Sequence, residues 1–165
     1  PPRSTLFPYT TLFRSTSAHG LMPKGDGNTA HFYRSDMSQA APVTFTKGGF
    51  GATFDGRSAV VAVGKKVYWR APAGCNGTIT KVTMVSDQSG SCTMTIKKST
   101  FSGFPGSLTS IVASAKPTLS SQQKSEDSTL SGWTTGVTEG DMFEWTIDTA
   151  TTVQWVGCFL DITLS

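Results

Sequence analysis

Two histidines, three cysteines and a scatter of carboxylates are the side chains of this 165-residue chain whose types do chemistry. His19 and His31 stand in a stretch without strand or helix periodicity, and no Ser, His and acid set can be placed on rigid elements around them. A Ser or Cys hydrolase therefore lacks its base. His19 gathered about a three-fold axis would offer three imidazoles to a metal, but a solvated or capping histidine is the plainer reading. Glycoside hydrolysis needs two carboxyl groups about 5 to 10 Å apart across a cleft. The acids on strands or turns are Asp55, Asp87, Glu139, Asp141, Glu144, Asp148 and Asp161. Glu144 and Asp148 share a strand face at a spacing that separates their Cα atoms by roughly 13 Å, too far to serve as a pair. They read as the polar side of a strand. No EF-hand calcium loop occurs. Cys75, Cys92 and Cys158 form no CxxC pair and have no neighbouring His, so no zinc site is expected. Cys92 and Cys158 alternate with apolar residues and read as buried and inert, with a disulfide between them as the alternative. No catalytic residue, metal or cofactor is expected, and the chain reads as a non-enzyme.

Recognition then falls to aromatic side chains. A sugar has apolar C–H faces and a polar rim, which flat rings and nearby polar groups complement. Tyr68, Trp133, Phe101 and Phe104 stand at strand ends, turns or the long connection and are the candidate ligand-binding residues. The phase of Trp145, shared with Phe143 and Ile147, puts it in a core. No periodicity decides Trp133, so core and surface remain open for it.

These side chains must be positioned by strands. Charged residues make up 15% and aromatics 10%, and 25 Thr and 17 Gly stand against only three Glu. That composition favours β-structure over helical bundles. No apolar run approaches the roughly 20 residues that cross a bilayer as a helix, so no membrane insertion is expected. Lys65-Lys66 and Lys97-Lys98 are the only basic doublets, too little for a nucleic-acid footprint, and read as turns or solvated strand ends. From Gly49 onward, short segments rich in Val, Thr and aromatics are punctuated by Gly, Asn and Asp, which predicts an all-β, jelly-roll-like antiparallel β-sandwich over 49–165. Residues 16–48 carry Gly and Pro without a sustained period and read as an extended N-terminal arm or linker.

Alternation picks out the strands. Cys92, Met94 and Ile96 face one way in 91–98; Phe143, Trp145 and Ile147 do so in 142–148. Asp87-Gln88-Ser89-Gly90 reads as a turn joining 78–86 to 91–98 in a hairpin. Residues 59–63 and 66–70 read as a second hairpin around Gly64, with weaker strands at 50–55 and 129–134. Residues 99–130 form the longest irregular region, which suits function or a crossing between sheets. The last strand, 152–164, is apolar on both faces: Val156, Cys158, Leu160, Ile162 and Leu164 on one, Val153, Trp155 and Phe159 on the other. A sandwich strand needs one apolar face, so the second set calls for a cover, either the arm or a neighbouring subunit. Val153, Trp155 and Phe159 are accordingly the expected subunit interface.

Two resemblances complete the reading. Thr5 to Ser15, TLFPYTTLFRS, resembles the read-through translation of a short-read sequencing adapter, which implies that residues 1–15 are an artefact. Without Arg3 and Arg14 the net charge falls from +3 to +1. Residues 17–24, SAHGLMPK, resemble the segment before the distal domain of bacteriophage tail-fibre and minor tail proteins. So do Ala71-Pro-Ala-Gly-Cys75, Asp87-Gln-Ser-Gly90, SAKPTLSS at 114–121 and DSTLSGWTT at 127–135, in the same order. The family usually reads Lys-Leu-Ser-Gly-Asn where Lys24-Gly-Asp-Gly-Asn28 stands. The resemblance implies a virion structural protein with a β-sandwich tip, homotrimeric, assembled in the bacterial cytoplasm and joined to an upstream fibre segment. Its partner would be a glycan or protein receptor on the bacterial surface. The alternatives are a carbohydrate-binding module of a secreted enzyme and a purely structural fibre cap.

Overall fold

The computed structural model describes residues 46–165 throughout and, before them, two short strands at 32–33 and 39–40. The chain divides into two units, Pro1–Thr44 and Phe45–Ser165. In the first, β1 (Phe32–Tyr33) and β2 (Gln39–Ala40) form a short antiparallel ladder within the stretch read as an extended arm. Residues 1–15, the SAHGLMPK segment and both histidines lie outside the described residues.

The second unit is an antiparallel all-β sandwich built from one curled sheet. Its strands are β3 (Lys47–Asp55), β4 (Lys66–Arg70), β5 (Gly77–Ser99), β6 (Thr109–Ser110), β7 (Thr118–Asp127), β8 (Gly136–Val137), β9 (Met142–Thr151) and β10 (Trp155–Leu164). The order is β3-β10-β5-β9-β4, with β6, β7 and β8 also paired to β5. Alternation decides what faces inward: Phe50, Ala52 and Phe54 of β3, Cys92, Met94 and Ile96 of β5, Phe143, Trp145 and Ile147 of β9, and Val156, Cys158, Leu160 and Ile162 of β10 are all buried. Phe50 stacks on Trp69 of β4 at 4.0 Å between centroids with 4° between ring planes, and packs against Phe143 at 4.9 Å. Since β3 and β4 are the two ends of the strand order, this contact brings the ends of the sheet face to face around one core.

A bend shared by two ribbons turns one sheet into two layers. β5 runs 23 residues; its first part pairs with β10 and its second with β9. β9 and β10 follow one another along β5 in the same direction, interrupted at 152–154, where Thr152 takes φ +75°. Opposite that interruption lies Asp87–Gly90. The Asp87 carboxylate accepts hydrogen bonds from the Gln154 and Trp155 N–H groups at 3.1 and 3.0 Å, and the Gln88 amide donates to the Thr152 carbonyl at 2.7 Å. Gly90 faces the partner backbone so closely that a Cβ would lie 2.6 Å from the Thr151 oxygen and 2.8 Å from Val153 Cγ1.

The structure therefore corrects the hairpin expected around Asp87–Gly90: these residues bend a continuous strand instead of reversing it. Their turn chemistry is spent on the neighbouring ribbon, and β7 stays paired to β5 on both sides of the bend. The strand expected at 59–63 is a loop, tethered by the Val61 N–H to the Val153 carbonyl and the Gly64 N–H to the Ile147 carbonyl. Residues 129–134 are also a turn: Leu130 (φ +46°) and Gly132 (φ +74°) adopt a left-handed backbone that breaks the extended path. Asp127 supports that turn by accepting from the Thr129 N–H at 2.7 Å.

The second apolar set of the last strand divides. Val153 precedes β10 and is wholly buried by its own chain, packed into the bend against Gly90, so it is no subunit contact. Trp155 is half-buried and Phe159 is 37% exposed. Both rings lie over glycines: a Cβ on Gly157 would meet the Phe159 ring at 2.6 Å and Trp155 at 3.2 Å, and one on Gly51 would meet Phe159 at 2.7 Å. Aromatic rings filling the space beside sheet glycines supply part of the cover that the sequence seemed to require from elsewhere.

If the bend is the fold's pivot, Gly90→Ala lowers stability by about 1–3 kcal/mol, since the added methyl meets backbone rather than a yielding side chain. Urea unfolding checks this. A loss near zero would return these residues to the role of an exposed turn.

Candidate functional site

The seven carboxylates offered for acid–base work each have a structural partner. Asp55 accepts from the Arg57 N–H and Glu139 from the Gly74 N–H; Asp87 holds the bend. Asp141 takes the Thr138 N–H and Lys98, Asp161 pairs with Lys81, and Asp148 accepts from Thr95 Oγ1 at 2.7 Å and Lys116 Nζ at 2.9 Å. Among the described residues no cluster of three or more His, Cys, Asp or Glu is placed to hold a metal, and no helix is long and apolar enough to cross a membrane. All three cysteines are free thiols and buried. Burial pushes Cys92 up to about 11 and Cys158 up to about 12, the latter against a smaller downward pull from the Trp145 indole N–H, which has no oxygen or nitrogen acceptor. Such thiols stay protonated at neutral pH and are poor nucleophiles.

The aromatic candidates separate cleanly. Trp133 is 9% exposed, and its indole N–H donates to the Ala115 carbonyl at 2.8 Å. It is a core residue with a satisfied polar handle, which removes it from the ligand-binding set. Tyr68, Phe101 and Phe104 come together. On β4, Val67 and Trp69 pack on the core, so Lys66, Tyr68 and Arg70 line the outer face in a row. The chain leaving β5 makes a 3₁₀ turn at Phe101–Gly103, capped by Thr100 Oγ1 accepting from the Gly103 N–H and followed by a Ser107 N–H bond to the Gly103 carbonyl at 2.8 Å. This turn brings Phe104 edge-to-face against Tyr68 at 5.3 Å and sets the Phe101 ring 5.2 Å from the Arg70 guanidinium. Tyr68 is 45% and Phe101 63% exposed, so the cluster presents ring surface to solvent.

Glu144 lies beside this row. The register places it between Tyr68 on β4 and Lys97 on β5, and it is only 1% exposed although it occupies the outer face of β9. Lys66 Nζ stands 3.1 Å from one carboxylate oxygen; Lys97 Nζ at 3.5 Å and the Thr146 hydroxyl at 3.2 Å approach the other. Burial works to raise its pKa, but the hydrogen bonds from Lys66, Tyr68 and Thr146 and the Lys66 charge together outweigh it and hold the carboxyl below the usual range. The Tyr68 phenol is raised, by burial first and then by the same carboxylate.

Sequence reasoning found the rings and missed the ions. It treated Glu144 as the polar side of a strand and the lysine doublets as turns or solvated strand ends, and it passed over Arg70. The available signal was Lys66-x-Tyr68-x-Arg70, which puts cation, ring and cation on one strand face. Two hollows of the described surface lie elsewhere. One of about 220 Å³ is lined by Val82, Met84, Pro117 and Asp127, and one of about 570 Å³ by Gly48, Gly49, Asp161 and Thr163. With the Tyr68 and Phe101 rings open to solvent, the aromatic cluster forms an open platform. No family model, curated protein or solved structure matches this chain.

Two outcomes follow from these environments. Thiol-specific reagents label the wholly buried Cys92 and Cys158 only as the protein unfolds; labelling of either at the rate of a free thiol in native buffer contradicts their burial. Glu144→Gln costs about 1–2 kcal/mol at neutral pH, the modest figure reflecting half-exposed lysine partners. Because the folded carboxyl sits below its ordinary 4.5, that contribution is present above 4.5 and fades as pH falls through the lowered value, so the two proteins converge in acid. Urea titrations at several pH values read this. The double change Lys66→Met with Lys97→Met costs more than Glu144→Gln, since it strands a buried charge.

Proposed function

We propose that this chain is a non-catalytic attachment domain of a bacteriophage tail fibre or tail tip, which holds a host-surface glycan on the open platform of Tyr68, Phe101 and Phe104. The observation that carries the binding part is the convergence of three partly exposed aromatic side chains from two distant chain segments on one outer face. An open platform suits a polymer, which can lie across it, better than a small substrate, which needs enclosure. The viral part rests on the sequence resemblance. In that reading the domain is a homotrimer at the end of an upstream fibre, assembled in the bacterial cytoplasm and carried on the virion. Three weak sites on one rigid tip then adhere strongly where geometry lets them engage together. Trp155 and Phe159 remain the interface candidates on the outer face of β10. The reading involves no nucleic acid, membrane insertion or cofactor.

A carbohydrate-binding module of a secreted enzyme is the second reading, because the exposed Tyr68 ring serves it equally well. The two differ in assembly. Sedimentation of the full chain at micromolar concentration gives a trimer for the fibre domain and a monomer for the module. On a glycan array, Tyr68→Ala weakens binding by about tenfold or more, the scale set by losing one stacked ring. A trimer that binds no glycan leaves the fibre cap.

A further inference from the structure

The platform is asymmetric in charge. Lys66 and Arg70 flank Tyr68 on β4, Lys97 lies beyond Glu144 on β5, and the Glu144 carboxylate is shared by the two lysines. Arg70 faces the Phe101 ring and has no carboxylate partner among the described residues. A ring under a guanidinium orients it without neutralising it, and Arg70 is exposed, so its N–H groups remain open to an incoming anion. Resting on the glycan reading above, we propose that the platform selects an acidic sugar that carries its carboxylate on the same ring that stacks on Tyr68, with Arg70 as the specificity-determining residue.

Tyr68 and Arg70 are two residues apart on one strand face, hence about 7 Å from each other. A pyranose lying with its C–H face on Tyr68 turns its rim substituents along the strand, toward Arg70 on one side and Lys66 on the other. Lys66 is already engaged by Glu144, so Arg70 is the open partner. Its planar fork matches a carboxylate with two parallel hydrogen bonds. A neutral sugar in the same place desolvates an unpaired cation for no return, which sets the preference. A phosphate polymer without rings meets the charge but not the stacking surface. Nucleic acid would need a basic track longer than three cations around a buried anion.

The full chain, titrated calorimetrically with oligogalacturonate, dextran oligomers, polyglycerol phosphate and oligo(dT), separates these cases. Oligogalacturonate is expected to bind about tenfold tighter than dextran, and the margin narrows as salt rises. Arg70→Gln brings the two sugars to within about twofold of each other, weakening oligogalacturonate while dextran binds no worse than to the parent, Arg70→Lys restores part of the preference, and Lys124→Gln on β7 matches the parent. Thermal melts confirm that each variant folds. Equal binding of the two sugars by the parent, an undiminished preference in Arg70→Gln, or phosphate polymer or oligo(dT) bound as tightly as oligogalacturonate overturns the proposal. If Tyr68→Ala loses both sugars while Arg70→Gln changes neither, the platform stands and acid selection falls. If Tyr68→Ala binds both as the parent does, or the parent binds no sugar, the platform reading itself falls.

Discussion

One carboxylate, that of Asp87, reaches across to the backbone of a neighbouring ribbon at the point where both ribbons change direction. Two long antiparallel strands cannot bend sharply without leaving N–H groups unpaired, and a buried or half-buried unpaired N–H is costly. Asp87 takes two of them, Gln88 supplies a donor to the Thr152 carbonyl, and Gly90 allows the backbones to close on each other. These bonds from the Trp155 and Gln154 N–H groups hold the Asp87 carboxyl below its usual range, against a smaller upward push from burial. From this joint the rest follows. β10 and β3 extend one layer, β9 and β4 extend the other, and the apolar faces of both meet around Trp145, Met84 and Cys158.

The platform inherits its position from that geometry. β4 ends its layer with Lys66, Tyr68 and Arg70 on the outer face, and because β5 continues past the bend its exit loop returns to β4 with Phe101 and Phe104. The ion group beside it has a mechanical use as well as an electrical one. Held between Tyr68 and Lys97, Glu144 ties the three strands of that layer together on the side where no core packs. Its two lysines keep ammonium groups at the surface while their stems cover the carboxylate.

What the sequence made legible was whatever depends on period. Phe143, Trp145 and Ile147, and Val156, Cys158, Leu160 and Ile162, lie inside as the alternation of their strands requires. The burial of Cys92 and Cys158 followed from the same phase. Position along the chain was less informative. Asp87-Gln-Ser-Gly90 has the composition of a turn, and the residues do supply turn chemistry, but to a distant segment that local reading cannot see. Trp133 sits in a turn and is anchored by a carbonyl eighteen residues away. Val153 followed the phase of an extended strand, whereas the left-handed Thr152 before it interrupts that phase. Glu144 was legible as outward and illegible as buried, because its cover comes from side chains on two other strands.

The curl is completed differently from the rest of the sheet. Everywhere else neighbouring strands are joined by backbone ladders, but β3 and β4 meet through Phe50 laid flat on Trp69, with no ladder between them among the described residues. A clasp of that kind is held by excluded water rather than by directional bonds, and apolar cohesion weakens on cooling. Chilling therefore loosens the join between β3 and β4 before it troubles the ladders on either side, so the domain has a seam with its own temperature response.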